Sequence, residues 1–191
     1  MTISKIPFKK KIALNLYKKY KKNESEIHQL KYILWECTLK CNLNCIHCGS
    51  DCKKDSSVKN MPAKDFFKAI DEIKGSINPN DTMIVLTGGE ALLRKDIEEI
   101  GIELYKRGFP WGVVTNGMNL NSVKLQSLIN SGLRSITVSL DGLEESHNWL
   151  RGNKKSFENA LNAKTSWGRN EIKAIYDSVV IEVLSENVKN D

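Results

Sequence analysis

The sequence predicts an α/β fold in which about five parallel strands alternate with helices, preceded by a basic amino-terminal helix. Two observations lead to this prediction. Short apolar runs alternate with longer segments in which apolar residues recur every three to four positions. Polar or glycine-rich loops follow the strands, and in a parallel sheet such loops meet at one edge, where ligands bind.

The predicted strands are apolar runs that are bounded by polar, glycine or proline residues. They cover residues 32–36, 82–87, 111–115, 135–140 and 175–183. The run at 82–87 is continuously apolar, which is typical of a strand covered on both faces. Because helices separate consecutive strands, we expect right-handed crossovers and a parallel sheet.

Four helices are predicted between and after these strands. They cover about residues 62–74, 95–106, 122–130 and 156–164. Pro62 marks the first turn of the first helix, and glycine follows each of the four. The expected inward faces of the first three are Phe66, Phe67, Ala69, Ile70 and Ile73, then Ile97, Ile100, Ile102 and Leu104, then Val123, Leu125, Leu128 and Ile129.

Residues 1–29 are predicted to form a basic amphipathic leader helix, and residues 30–191 a single core domain. Much of the net charge of +6 comes from lysines in this leader. Such a segment can dock on acidic lipid, nucleic acid or a partner, and packing across one end of the core domain is the favoured alternative. No recognition-helix or base-stacking pattern indicates specific nucleic-acid binding.

Composition also bears on the compartment. No apolar run approaches the ~20 residues that a transmembrane helix needs, and no signal peptide is recognisable at the start. The cysteines are clustered rather than spread along the chain as in a disulfide scaffold. We therefore expect a cytoplasmic protein with free thiols.

All five cysteines lie within residues 37–52, and three of them, Cys41, Cys45 and Cys48, have the spacing C-x3-C-x2-C. Three thiolates on one loop can bind three irons of a cubane cluster and leave the fourth iron open to a small molecule. Zinc is the alternative metal, although zinc sites usually pair two C-x2-C knuckles and only one is present here. A non-ligand role is favoured for Cys37 and Cys52.

The cysteine spacing, with His47 at the usually aromatic position, resembles the first motif of the radical S-adenosylmethionine (SAM) superfamily. Leu86-Thr87-Gly88-Gly89-Glu90 resembles its second motif. The resemblance covers about residues 30–165 and implies a partial (β/α) barrel, a [4Fe-4S] cluster on the three cysteines, and SAM as the second cofactor. It also implies reductive cleavage of SAM, with an electron from a donor such as flavodoxin or ferredoxin, followed by hydrogen abstraction from a peptide or metabolite.

The resemblance further implies which side chains meet SAM. Gly88, Gly89 and Glu90 would face the amino end of its methionine moiety, and Ser139 would contact the cofactor near Asp141. His47 is expected beside the cluster or the nucleoside, and Asn116 in the cavity. The stretch 146–152 resembles the SPASM-like, peptide- or cofactor-maturing branch, in which Arg151 would pair with the SAM carboxylate. No side chain is assigned as a general base.

The family core usually has six βα units, whereas five strands are predicted here. We therefore expect a chain that is shortened at its carboxyl end. A cluster-binding fragment without catalysis and a zinc-binding structural module remain the alternative functions.

Overall fold

The computed structural model describes residues 7–165, with side chains as far as residue 163. The chain divides into two compact units at the junction of Lys31 and Tyr32. The described part of the first unit contains one helix, α1 (Phe8–Ile27), and none of its residues is buried. No helix in the described range is both long and apolar enough to span a lipid bilayer.

The second unit contains a parallel four-stranded sheet whose order follows the chain. Its strands are β1 (Tyr32–Thr38), β2 (Met83–Gly88), β3 (Trp111–Thr115) and β4 (Leu133–Val138). This confirms the α/β class and the parallel sheet. The fifth predicted strand, at 175–183, lies outside the described residues.

Five helices belong to the described part of this unit: α2 (Ala63–Ile73), α3 (Ile97–Lys106), α4 (Ser122–Asn130), α5 (Glu144–Arg151) and α6 (Ser156–Thr165). Short 3-10 turns occupy Lys74–Ser76, Pro79–Asp81 and Ala91–Leu93. The sequence analysis missed α5. Acidic residues in its first turn and the left-handed Gly152 after its last turn are the signals that could have identified it.

The core lies on one face of the sheet. Along β2, Ile84 and Leu86 are fully buried, whereas Met83 and Val85 are only partly buried. The expectation that this strand is covered on both faces is therefore wrong for the described residues. On β1, Tyr32 and Leu34 are likewise exposed. An apolar run without alternation cannot distinguish these two environments, because burial depends on the elements packed against the strand.

The predicted inward faces of the helices are right at most positions and wrong at four. The exposed exceptions are Ala69, Ile73, Ile102 and Val123. Ile102 lies on a different side of α3 from Ile97, Ile100 and Leu104, because successive residues are 100° apart around a helix. Gly101 takes its place in the core, where an added Cβ would lie 2.3 Å from the ring of Trp111.

Candidate functional site

The three motif cysteines lie on a loop that follows the end of β1. Hydrogen bonds hold this loop at its base and at its tip. At its base, the Cys41 N–H donates to the Lys53 carbonyl at 3.2 Å, and the Lys53 N–H donates to the Leu39 carbonyl at 3.2 Å. At its tip, the Ile46 N–H donates to the Leu150 carbonyl of α5 at 2.8 Å. The loop is thus held between the sheet and α5.

A cavity of about 230 Å³ opens at the carboxyl ends of the strands beside this loop. Its lining includes Cys41, Cys45, His47, Cys48, Cys52, Gly88, Gly89, Thr115, Asn116, Ser139 and Arg151. The structure therefore brings all three motif cysteines together with six of the eight other predicted site residues. Asp141 and Glu90 do not line the cavity.

Backbone N–H groups point at two of the thiols. The Leu43 N–H lies 3.5 Å from the Cys41 sulfur, and the Cys52 N–H lies 3.3 Å from the Cys48 sulfur. Burial raises the pKa of both Cys41 and Cys45, so these thiols hold their protons in the metal-free chain. Metal binding must displace those protons, and the N–H donors then stabilise the thiolates.

The donor set of three cysteines is compatible with a cubane cluster. Among the described residues, no three His, Cys, Asp or Glu side chains are arranged to hold one metal ion. A structural zinc site needs four ligands around one point, whereas a cubane takes one thiolate at each of several separate corners. The free, converging thiols of Cys41, Cys45 and Cys48 suit the cluster.

Gly88 and Gly89 allow the cysteine loop to lie directly on the end of β2. Gly88 has φ +121°, and a Cβ there would lie 2.2 Å from the Thr38 carbonyl oxygen. A Cβ on Gly89 would lie 2.2 Å from the Lys40 oxygen and 3.2 Å from the Cys41 Cβ. Glycine permits both the positive φ and this close approach to the cysteine loop. The same two glycines also line the cavity.

Glu90 is fully buried and braces the loops that follow β2 and β3. Its carboxylate accepts hydrogen bonds from Thr115 Oγ1 at 2.8 Å, the Asn116 N–H at 2.8 Å and the Leu92 N–H at 3.1 Å. Burial raises the pKa of Glu90, and these three donors oppose that shift. The direct contact with SAM that the resemblance implies thus remains a prediction, whereas the bracing role is visible.

Asn116 links the loop after β3 to the cysteine loop. Its side-chain amide donates to Asn42 Oδ1 at 2.7 Å and lies 3.8 Å from the Cys41 sulfur. Ser139, whose N–H donates to the Thr115 carbonyl at 3.0 Å, lies in the same cavity. Both residues line the cavity beside the cysteines.

Arg151 and Asp141 form a bidentate ion pair at the wall of the cavity. Arg151 Nε donates to Asp141 Oδ2, and Nη2 donates to Oδ1 at 2.8 Å. Burial by itself would raise the pKa of Asp141, but the Arg151 guanidinium outweighs it and holds that pKa below its usual value. The remaining nitrogen, Nη1, lies 3.9 Å from the Cys45 sulfur.

His147 is a buried positioning residue to which the sequence analysis assigned no role. Its Nδ1 accepts a hydrogen bond from the Asp141 N–H at 3.1 Å, so the proton of the neutral ring is on Nε2, which lies 3.0 Å from Ser156 Oγ. Burial lowers the pKa of His147 from 6.5. The neutral ring therefore ties α5 and α6 to the end of β4.

This burial gives a pH dependence of stability whose sign is fixed. The unfolded chain takes up a proton on His147 below about pH 6.5, whereas the folded chain resists it. The stabilisation is therefore present above that pH and is lost as pH falls. Between pH 7.5 and 5.5, the free energy of unfolding measured by urea denaturation should fall more for the parent chain than for His147→Gln. An equal fall for the parent chain and for His147→Gln would contradict the assignment.

The other cysteines differ in their surroundings. Cys37 lies in the main core, where its thiol donates to the Thr87 carbonyl and burial raises its pKa to about 12. Cys52 is buried beside the motif cysteines, and burial raises its pKa to about 11. His47 is partly exposed at the cavity, with Nε2 3.8 Å from Asp141 Oδ1.

Two curated proteins resemble this chain over about two thirds of its length. It is 30% identical over 129 residues to an Fe-coproporphyrin III synthase of Methanosarcina barkeri, covering 68% of this chain and 32% of that protein. It is 32% identical over 132 residues to an AdoMet-dependent heme synthase of the same organism, covering 69% and 37%. The chain thus spans about a third of the length of these relatives.

Solved structures share the fold. The enzyme anSMEcpe with bound AdoMet superposes with a TM-score of 0.58 at 20% identity, covering 72% of this chain and 40% of that one. Streptococcus suis SuiB bound to its precursor peptide SuiA gives 0.56 at 17% identity, covering 87% and 38%. The sequence profile of the radical SAM superfamily matches residues 35–184, which include the cysteine loop and every cavity residue named above. This chain belongs to the radical SAM superfamily, whose members use a [4Fe-4S] cluster and SAM.

Proposed function

We propose that this chain binds a [4Fe-4S] cluster through Cys41, Cys45 and Cys48 and binds SAM beside it, for radical chemistry on an organic substrate. The observation that carries this proposal is the convergence of the three thiols with Gly88 and Gly89 at one cavity. Bound there, the two cofactors would supply reductive cleavage of SAM, with one electron from an external donor, and so a radical that takes a hydrogen atom from the substrate.

The chain's own contribution is placement. The cysteine loop is held by Lys53, by Leu150 and by its contact with the two glycines, so the three thiols converge before any metal binds. Ser139 offers a hydroxyl to the polar groups of SAM, and the Asn116 amide holds the loop after β3 against the cysteine loop. Glu90 keeps the loops after β2 and β3 in register through its three hydrogen bonds.

For the substrate, we propose a porphyrin precursor as the first class to test. Both Methanosarcina relatives carry names from haem synthesis, and their identity to this chain is 30% and 32%. A peptide is the second class, because SuiB binds its precursor peptide SuiA, although the likeness of SuiB to this chain, at 17% identity, concerns the fold. The proposal includes a one-electron donor such as flavodoxin or ferredoxin. It also includes a cytoplasmic location, since the five cysteines are free thiols.

The test is anaerobic reconstitution of the chain with iron and sulfide, followed by addition of SAM and dithionite. We expect a brown protein with about four irons per chain and release of 5′-deoxyadenosine. One equivalent of zinc in protein purified without oxygen would support a zinc module instead. Iron binding without 5′-deoxyadenosine would indicate a cluster-binding chain that lacks the proposed activity.

A further inference from the structure

The guanidinium of Arg151 touches a cluster ligand. Its Nη1 lies 3.9 Å from the Cys45 sulfur, and its side chain is only 13% exposed. Among the described residues that line the cavity, Arg151 is the one Lys, Arg, Asp or Glu side chain. A buried positive charge at this distance acts on the sulfur with little screening by solvent.

One bidentate edge of this arginine is already used. Nε and Nη2 both donate to the Asp141 carboxylate. Nη1 is the nitrogen left over, and it faces Cys45. The geometry therefore places a guanidinium nitrogen at the Cys45 sulfur while the opposite edge of the group holds Asp141.

The pair is also held in place from behind. The backbone of Asp141 donates to the buried ring of His147. The residue before Arg151, Leu150, accepts the hydrogen bond from Ile46 inside the cysteine loop. A Cβ on Gly152 would lie 3.1 Å from the Asn44 carbonyl oxygen, so the end of α5 lies directly against that loop. The distance from Arg151 to Cys45 is thus fixed by backbone contacts on both sides.

We propose that Arg151 sets the reduction potential of the [4Fe-4S] cluster through its contact with Cys45, and that Asp141 moderates this effect. This inference rests on the proposed function. Reduction adds an electron to the cluster, and a donor and positive charge at a ligand sulfur stabilise the added negative charge and raise the potential. The Asp141 carboxylate acts in the opposite direction because it offsets that charge.

The experiment is a potentiometric titration of the reconstituted full chain, without SAM, followed by electron paramagnetic resonance of the reduced cluster. Arg151→Gln should shift the reduction equilibrium at least tenfold toward the oxidised cluster, which is 59 mV for one electron. Asp141→Asn should shift it in the opposite direction. Arg151→Lys, which keeps the charge, should lie between Arg151→Gln and the parent chain.

Reduction potentials that shift in opposite directions in Arg151→Gln and Asp141→Asn would support the inference. General damage to the site would shift both potentials in the same direction. Arg107→Gln removes a guanidinium that pairs with Asp71 and Glu103 away from the cavity, and it should keep the parent potential. Equal potentials, or shifts of one sign in clusters with full iron content, would overturn the inference. If Arg151→Gln loses its cluster, the inference is tested by the reduction potentials of Arg151→Lys and Asp141→Asn, which should shift in opposite directions from that of the parent chain. Failure of the parent chain to assemble a cluster would instead overturn the proposed function.

Discussion

Replacement of Cys41, Cys45 or Cys48 by alanine is expected to abolish stable cluster binding, with iron falling from about four to well below one per chain after reconstitution. Each of the three thiolates would hold a separate corner of the cluster, so no remaining ligand can substitute for a missing one. Release of 5′-deoxyadenosine should fall to background in all three variants, since the cofactor supplies the chemistry. Iron analysis and the visible spectrum of the reconstituted protein provide the measurement.

Cys37→Ala is the matched control. Cys37 lies four residues before the motif, but its side chain is in the main core and outside the cavity lining. We expect normal iron content with a modest loss of stability. Cys52→Ala tests the buried thiol at the cavity, for which a non-ligand role predicts retained iron. Full iron binding after loss of any motif cysteine would contradict the assigned ligand set.

Gly89→Ala is expected to destabilise the fold by about 3 kcal/mol, or roughly 6–12 °C in Tm for a chain of this size. The new Cβ would lie 2.2 Å from the Lys40 oxygen and 2.7 Å from its carbonyl carbon. Backbone atoms cannot move away as a flexible side chain can, so the cysteine loop must leave its position above β2. The loss should appear both in urea denaturation and as reduced iron content.

Gly49→Ala provides the comparison within the same loop, because a Cβ there meets nothing within 4 Å. We expect its stability and iron content to match those of the parent chain. A Gly89→Ala chain with unchanged Tm and full iron content would show that the loop tolerates displacement. The close contact between the second motif and the first would then not be needed for cluster binding.

The sequence predicted the sheet better than it predicted the burial of its faces. Strand and helix positions followed from local patterns of apolar residues, glycine and proline, which depend on neighbours a few positions away. The single covered face of β2 depends on which elements pack against the strand. Such packing involves residues far apart in the chain, and no local pattern records it.

Glu90 illustrates the same limit within the site. The sequence indicated that it follows a strand and two glycines, and this much is correct. Its three hydrogen bonds, however, include partners 25 and 26 positions away, in the loop that follows β3. Only folding brings those donors to the carboxylate, and they explain why its side chain is buried rather than open to the cavity.

The sequence by itself determined the cysteine spacing, the second motif and the parallel α/β order, because each of these depends on residues that are close together along the chain. The tertiary structure alone decided that Arg151 pairs with Asp141 and faces Cys45, a residue 106 positions away. It did so because the unpredicted helix α5 lies against the cysteine loop through Leu150 and Gly152. Charges act through space, so their partners are set by the packing of whole elements.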